Sequence, residues 1–188
     1  MSNRVINLKK NAAILKAAVE LFPKHGFEKT TMDDIAKRAG VTKQTVYSHF
    51  NNKEQLFIHM IDNLCKRGVS HSPVSSGKKK KFEQLLFDVG TNLLTLITSP
   101  DGMAVTRLVI AEAGRYPKVA KLYYESGTQR IMQLLAEFLD QQNASGNISI
   151  PNTESAAAYF FALLKGQYFL RMTLGVPPIP SHKEMQAH

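Results

Sequence analysis

Between Thr31 and Phe50 the chain reads TMDDIAKRAGVTKQTVYSHF, a stretch with room for two short helices and a single glycine between them. Thr31, with Asp34 three residues later, is a variant of the capping box and opens a helix over Met32–Ala39. Gly40 ends it at a position that favours left-handed backbone. Thr42 then caps a second helix running from about Lys43 to Phe50. Ala36 is small enough for the second helix to cross the first closely, and Val46 fills the space between them. Ile35, Ala39, Val41 and Phe50 supply the other apolar contacts. Two helices so spaced form the core of a helix-turn-helix, although the same spacing also occurs in ordinary packed pairs with polar faces. The second helix turns Lys43, Gln44, Thr45, Tyr47, Ser48 and His49 outward. A major groove admits so slim a helix, and donors and acceptors of this length read its base edges.

The remaining pattern is helical, so the fold class expected is all-α. Ile14, Ala18, Leu21 and Phe22 form one stripe of a first helix that Gly26 stops. Asn52, followed by Gln55, opens a longer helix over about 53–67. The segment 68–81, GVSHSPVSSGKKKK, is a loop and the best candidate boundary. Further helices are expected at about 81–98, 103–114, 117–143 (with a break near Gly127) and 154–174.

Charge narrows the partners. The chain carries a net +9, and residues 1–53 hold ten Lys or Arg against four acids. That excess in the first quarter suits a polyanion. No apolar run approaches the roughly 18 residues that cross a bilayer, and the N-terminus lacks the pattern of a signal peptide. The expectation is a cytoplasmic protein without a membrane partner. The lone Cys65 fits a reducing compartment and is more readily an inert core residue than a redox sensor. The six histidines form no metal-ligand spacing with acids, and no serine elbow, P-loop or Rossmann glycine fingerprint occurs. The expectation is therefore no catalytic residue, no metal, no cofactor and no enzyme activity.

From Ile14 to Phe57, ILKAAVELFPKHGFEKTTMDDIAKRAGVTKQTVYSHFNNKEQLF resembles the DNA-binding domain of the tetracycline-repressor (TetR) family of bacterial regulators. The resemblance rests on Ala18, Leu21 and Phe22, on Gly26-Phe27 with Thr30-Thr31, and on Asp34-Ile35-Ala36. It continues through Ala39-Gly40-Val41, through Thr45-Val46-Tyr47 with His49-Phe50, and through Lys53-Glu54 with Leu56-Phe57. It implies a three-helix DNA-binding domain over 1–53 and a helical ligand-binding and dimerisation domain over 54–188. It further implies that Thr31, Thr42, Tyr47, His49 and Lys53 touch phosphates, and that Lys43, Gln44 and Thr45 lie near base edges, with Ser48 on the same face. Phosphate contacts set the register and base contacts give the preference. Gln44 suits adenine and Lys43 suits guanine. Tyr47 is expected to pack its ring on Phe50 and hold its hydroxyl at the DNA backbone.

The same resemblance implies a homodimer on a palindromic duplex operator, most simply a repressor, released by a small apolar or amphipathic effector. Residues 107–127, RLVIAEAGRYPKVAKLYYESG, look like a second-domain segment common among relatives that control efflux pumps. Candidate effector contacts are Phe57, Met60, Ile61, Leu64, Leu86, Val89, Leu93, Arg107, Tyr123, Phe160 and Gln167. Each is also a plausible core position, and Arg107 with Glu112 is either an ion pair or the polar end of a pocket. Ala157, Phe161, Leu164 and Tyr168 at helical spacing are the candidate dimer face. Relatives usually end in another long helix, of which SHKEMQAH resembles only the first turns. The Lys78–Lys81 run reads as a solvated helix start.

Overall fold

A computed structural model describes residues 2–69, 81–178 and 184, the side chains of 2–5, 67–69 and 167 excepted. Among the described residues it is all-helical. The order is α1 (Ser2–His25), α2 (Met32–Ala39), α3 (Lys43–His49), α4 (Lys53–Val69), α5 (Phe82–Thr98), α6 (Pro100–Glu112), α7 (Pro117–Tyr123), a π-helical segment (Tyr124–Gln129), α8 (Arg130–Ala144) and α9 (Thr153–Leu174). No single described helix is long and apolar enough to cross a membrane. The chain forms two compact units. One comprises Met1–Leu64 with Ala104–Ser126, the other Cys65–Met103 with Gly127–His188.

The first unit is built on aromatic packing. Ile14, Ala18 and Phe22 of α1 are fully buried. Phe22 stacks on Phe27 at 5.4 Å between centroids, and both meet Phe57 of α4 edge-on at 5.6 and 5.4 Å. Burying a side chain such as Phe57 contributes about 1.5–3 kcal/mol. Thr30 is buried because its hydroxyl donates to the carbonyl of Gly26 at 2.7 Å, closing the α1–α2 turn. Arg38 of α2 pairs with Glu20 of α1, Lys118 of α7 with Glu54 of α4 at 2.6 Å, and the hydroxyls of Thr106 and Tyr123 lie 2.9 Å apart.

In the second unit α9 packs on α8 and α5. Phe160 and Leu164 lie over Gly90, where a Cβ would stand 3.1 Å from the Phe160 ring. Leu94, Met103 and Met172 form a small buried cluster, joined by Ile97, Leu164 and Phe169. Asn143 ties the end of α8 to Ile150 through both its amide oxygen and nitrogen, at 2.9 and 2.8 Å. Asn152 caps α9 by accepting from Ser155 N at 2.7 Å.

Several boundaries differ from expectation. The α4 helix continues through Gly68 to Val69, where the glycine signalled a loop. The α6 helix opens at Pro100 rather than at 103, with Pro at the first helical position, where its missing N–H costs nothing. The break expected near Gly127 is the π-helical segment. A break that no expectation included lies at Gly166, with φ 45° and ψ −153°, inside α9. Lys81 is the N-cap residue of α5, without a side-chain cap bond. Lys78–Lys80 lie outside the described residues, as does SHKEMQAH apart from Glu184.

Candidate nucleic-acid interface

Two caps and one glycine position the outward face of α3. Thr31 Oγ1 accepts from Asp34 N at 3.1 Å, and Asp34 Oδ2 accepts from Thr31 N at 3.1 Å, so the capping box is complete. The Thr31 hydroxyl, which donates to Asp34 Oδ2 at 2.6 Å, and then the Thr31 N–H hold the Asp34 carboxyl below its ordinary range. At the other end Gly40 takes φ 67°, and Val41 N donates to Ala36 O at 3.1 Å while Gly40 N donates to Lys37 O at 3.3 Å. This is the Schellman arrangement, and it turns the chain into α3 within three residues. Thr42 caps α3 by accepting from Thr45 N at 3.2 Å. Val46 and Phe50 are buried beneath α3, which fixes the opposite face as the solvent face.

On that face Lys43, Gln44, Tyr47 and Ser48 are exposed, while Thr45 and His49 are half-buried. Each is committed differently in the free protein. Lys43 Nζ binds the Asp33 carboxylate at 3.0 and 3.1 Å, and that hydrogen bond raises its pKa. The Thr45 hydroxyl is 2.8 Å from that of Thr42, and Ser48 Oγ donates to Thr45 O at 2.8 Å. No described residue bonds the Gln44 amide, which faces solvent. His49 lies 6.0 Å from the Phe50 ring. Lys53 Nζ donates to Glu28 O at 2.8 Å and sits 4.8 Å from the Phe27 centroid, tying the first turn of α4 to the α1–α2 turn. Thr31, Thr42 and Tyr47 lie at exposed positions.

Tyr47 corrects one expectation. The residue is 43% exposed, and its ring carries the Lys43 ammonium 5.9 Å from the centroid. Phe50 instead faces His59 of α4 at 5.4 Å, because as the C-cap of α3 it stands in extended backbone (φ −139°, ψ 112°) and leaves the helical register. Asp33 is the residue the sequence reading passed over. Its signal was an acid in the first turn of α2, which counted there only as charge.

The candidate effector contacts divide between the units. Phe57, Met60, Ile61 and Leu64 are buried in the first unit, with Tyr123 half-buried and Arg107 exposed. Arg107 and Glu112 line one cleft there, with the end of α1. Leu93 is buried in the second unit, and Leu86, Val89 and Phe160 are half-buried. The side chain of Gln167 lies outside the described residues. The candidate dimer face is partly covered within the chain. Ala157 and Phe161 are buried within the chain, and Leu164 and Tyr168 are half-buried. The exposed apolar residues of α9 are Tyr159, Leu163, Leu170 and Leu174, each more than 60% exposed. A helix with apolar residues on two faces does not reveal, by period alone, which face its own chain covers.

Residues 14–60 match the family described as bacterial regulatory proteins, tetR family, and residues 84–188 match the AefR-like transcriptional repressor C-terminal domain. The HTH-type transcriptional regulator YvkB of Bacillus subtilis (strain 168) is 26% identical over 178 residues, 94% of this chain and 91% of that protein. A TetR-family regulator from Mesorhizobium loti MAFF303099 superposes with a TM-score of 0.77 at 26% identity, covering 97% of this chain and 92% of the other. The flavonoid-responsive regulator FrrA gives a TM-score of 0.69 at 32% identity, covering 95% and 90%. Matched over its helix-turn-helix and over more than half its length beyond it, the chain belongs to the TetR family and is a transcriptional regulator, not an enzyme.

Proposed function

We propose that the protein is a ligand-responsive repressor, which binds a palindromic operator as a homodimer and is released by a small apolar or amphipathic effector. The observation that carries this reading is the Thr42-capped α3, with a solvent face of Lys43, Gln44, Thr45, Tyr47, Ser48 and His49 over a buried Val46 and Phe50. In this reading residues 1–53 bind DNA and 54–188 bind effector and the second copy. Gln44 reads a base. Lys43 joins it after exchanging Asp33 for a guanine edge. Thr31, Thr42, Tyr47 and His49 meet phosphates, and Lys53 holds the turn behind them while facing the backbone.

The exposed row Tyr159, Leu163, Leu170 and Leu174 supports pairing through α9. A dimer so formed presents its two α3 helices about one duplex turn, roughly 34 Å, apart. The similarity to a regulator described as flavonoid-responsive supports an amphipathic effector. The candidate contacts for it are Phe57, Met60, Ile61 and Leu64 of α4, Leu86, Val89 and Leu93 of α5, and Arg107, Tyr123, Phe160 and Gln167. The working compartment is the cytoplasm, where the operator is.

Gel-shift titration over a salt series, against duplexes selected from a random pool, tests the reading. The expected result is an enriched inverted repeat and an affinity that falls steeply with salt. Equal affinity for every duplex would exclude an operator-specific repressor.

A further inference from the structure

Arg107 and Glu112 interrupt an otherwise apolar run, and the first unit brings both to a cleft of about 640 Å³. The volume falls within the roughly 300–1,000 Å³ of small-molecule sites. One wall is a single face of α6, in which Ala104, Leu108 and Ala111 recur at helical spacing. The facing wall is the end of α1 and the turn after it, from Pro23 to Lys29. Local chemistry explains why the cleft is open. The turn meets α6 through Glu112, whose Oε1 lies 2.6 Å from where a Cβ on Gly26 would stand. Ala104 and Ala111, which precede Glu112 on α6, are too small to fill the space along that face.

The rim carries His25, Lys29, Arg107 and Arg115 against Glu28 and Glu112. Arg107 already has a partner in the chain, and the Glu112 carboxylate lies against the Gly26 backbone. Lys29 and Arg115 are exposed at the mouth. Short apolar walls under a cationic mouth suit one shape of molecule, a small ring or branched chain ending in a carboxylate. A guanidinium binds a carboxylate in two-point fashion and a lysine adds a point charge.

We propose that this cleft is a binding site for a small amphipathic carboxylate, sharing only Arg107 with the effector contacts named above and not resting on that reading. The body of the ligand rests on Ala104, Leu108 and Ala111, and its acid lies between Arg115 and Lys29. The turn that forms one wall leads through Thr30 into the Thr31 cap of α2. An occupant therefore rests against both α6 and the segment that leads into the cap of α2.

Isothermal titration calorimetry of the full chain with 1-naphthoate and its uncharged counterpart 1-naphthamide tests the site. Naphthoate is expected to bind about tenfold or more tightly than the amide, and the double variant Lys29→Gln, Arg115→Gln to erase that preference. Ala111→Phe is expected to abolish binding of both by filling the cleft. Circular dichroism melts establish that each variant is folded, and the charge variants alone decide the matter if Ala111→Phe is not. Absence of naphthoate binding to the wild type, or binding unchanged in the folded charge variant, overturns the proposal. Neither result bears on operator binding, which the salt-series titration measures separately.

Discussion

Gln44 and Lys43 stand side by side at the start of α3 but differ in what DNA must undo to reach them. No described residue holds the Gln44 amide, whereas Lys43 is held by Asp33. Gln44→Ala is therefore expected to cost about 1–3 kcal/mol against the preferred site and to relax the preference at one position, measured by competition with single-base operator variants. Asp33→Asn is expected to free Lys43 and tighten binding to unrelated duplexes more than to the selected site, read from the ratio of the two dissociation constants. Asp34 behaves differently. Its carboxyl is held below its ordinary value by the Thr31 hydroxyl and then the Thr31 N–H. A depressed carboxylate stabilises the fold above its unfolded pKa, and that contribution is lost as pH falls below about 4 through the folded value. Asp34→Asn should accordingly flatten the acid side of the melting-temperature profile while leaving its neutral plateau merely lower.

At the scale of the element, α2 and α3 were legible in the sequence and α9 was only half so. The capping box at Thr31, the left-handed Gly40 and the Thr42 cap are local devices, and each needs only its own few residues to act. The α9 helix shows the limit of such reading. Its apolar residues cover both faces, and only the packing of Ala157 and Phe161 against the rest of the chain leaves Tyr159 and Leu163 outside. No cap or proline announces the break at Gly166, and the Gly26–Glu112 contact joins residues far apart in the sequence. Substituting Thr42→Ala is expected to cost about 1 kcal/mol in urea unfolding. Gly40→Ala, which forces a side chain into left-handed backbone, is expected to cost about 1–2 kcal/mol and to weaken DNA binding beyond what the lost stability explains.

For the whole molecule, the proposed dimer depends on that exposed row of α9. Leu163→Glu combined with Leu170→Glu is expected to give a folded monomer by sedimentation, with operator affinity reduced at least about a hundredfold, because the two half-sites then bind separately. Gly166 bears on which chains can mate. Its backbone, at φ 45° and ψ −153°, interrupts the helix between Leu163 and Leu170, so the row comes as two facets rather than one seam. In the proposed dimer a partner helix has to bend at the same place to meet both facets, as a second copy of this chain does.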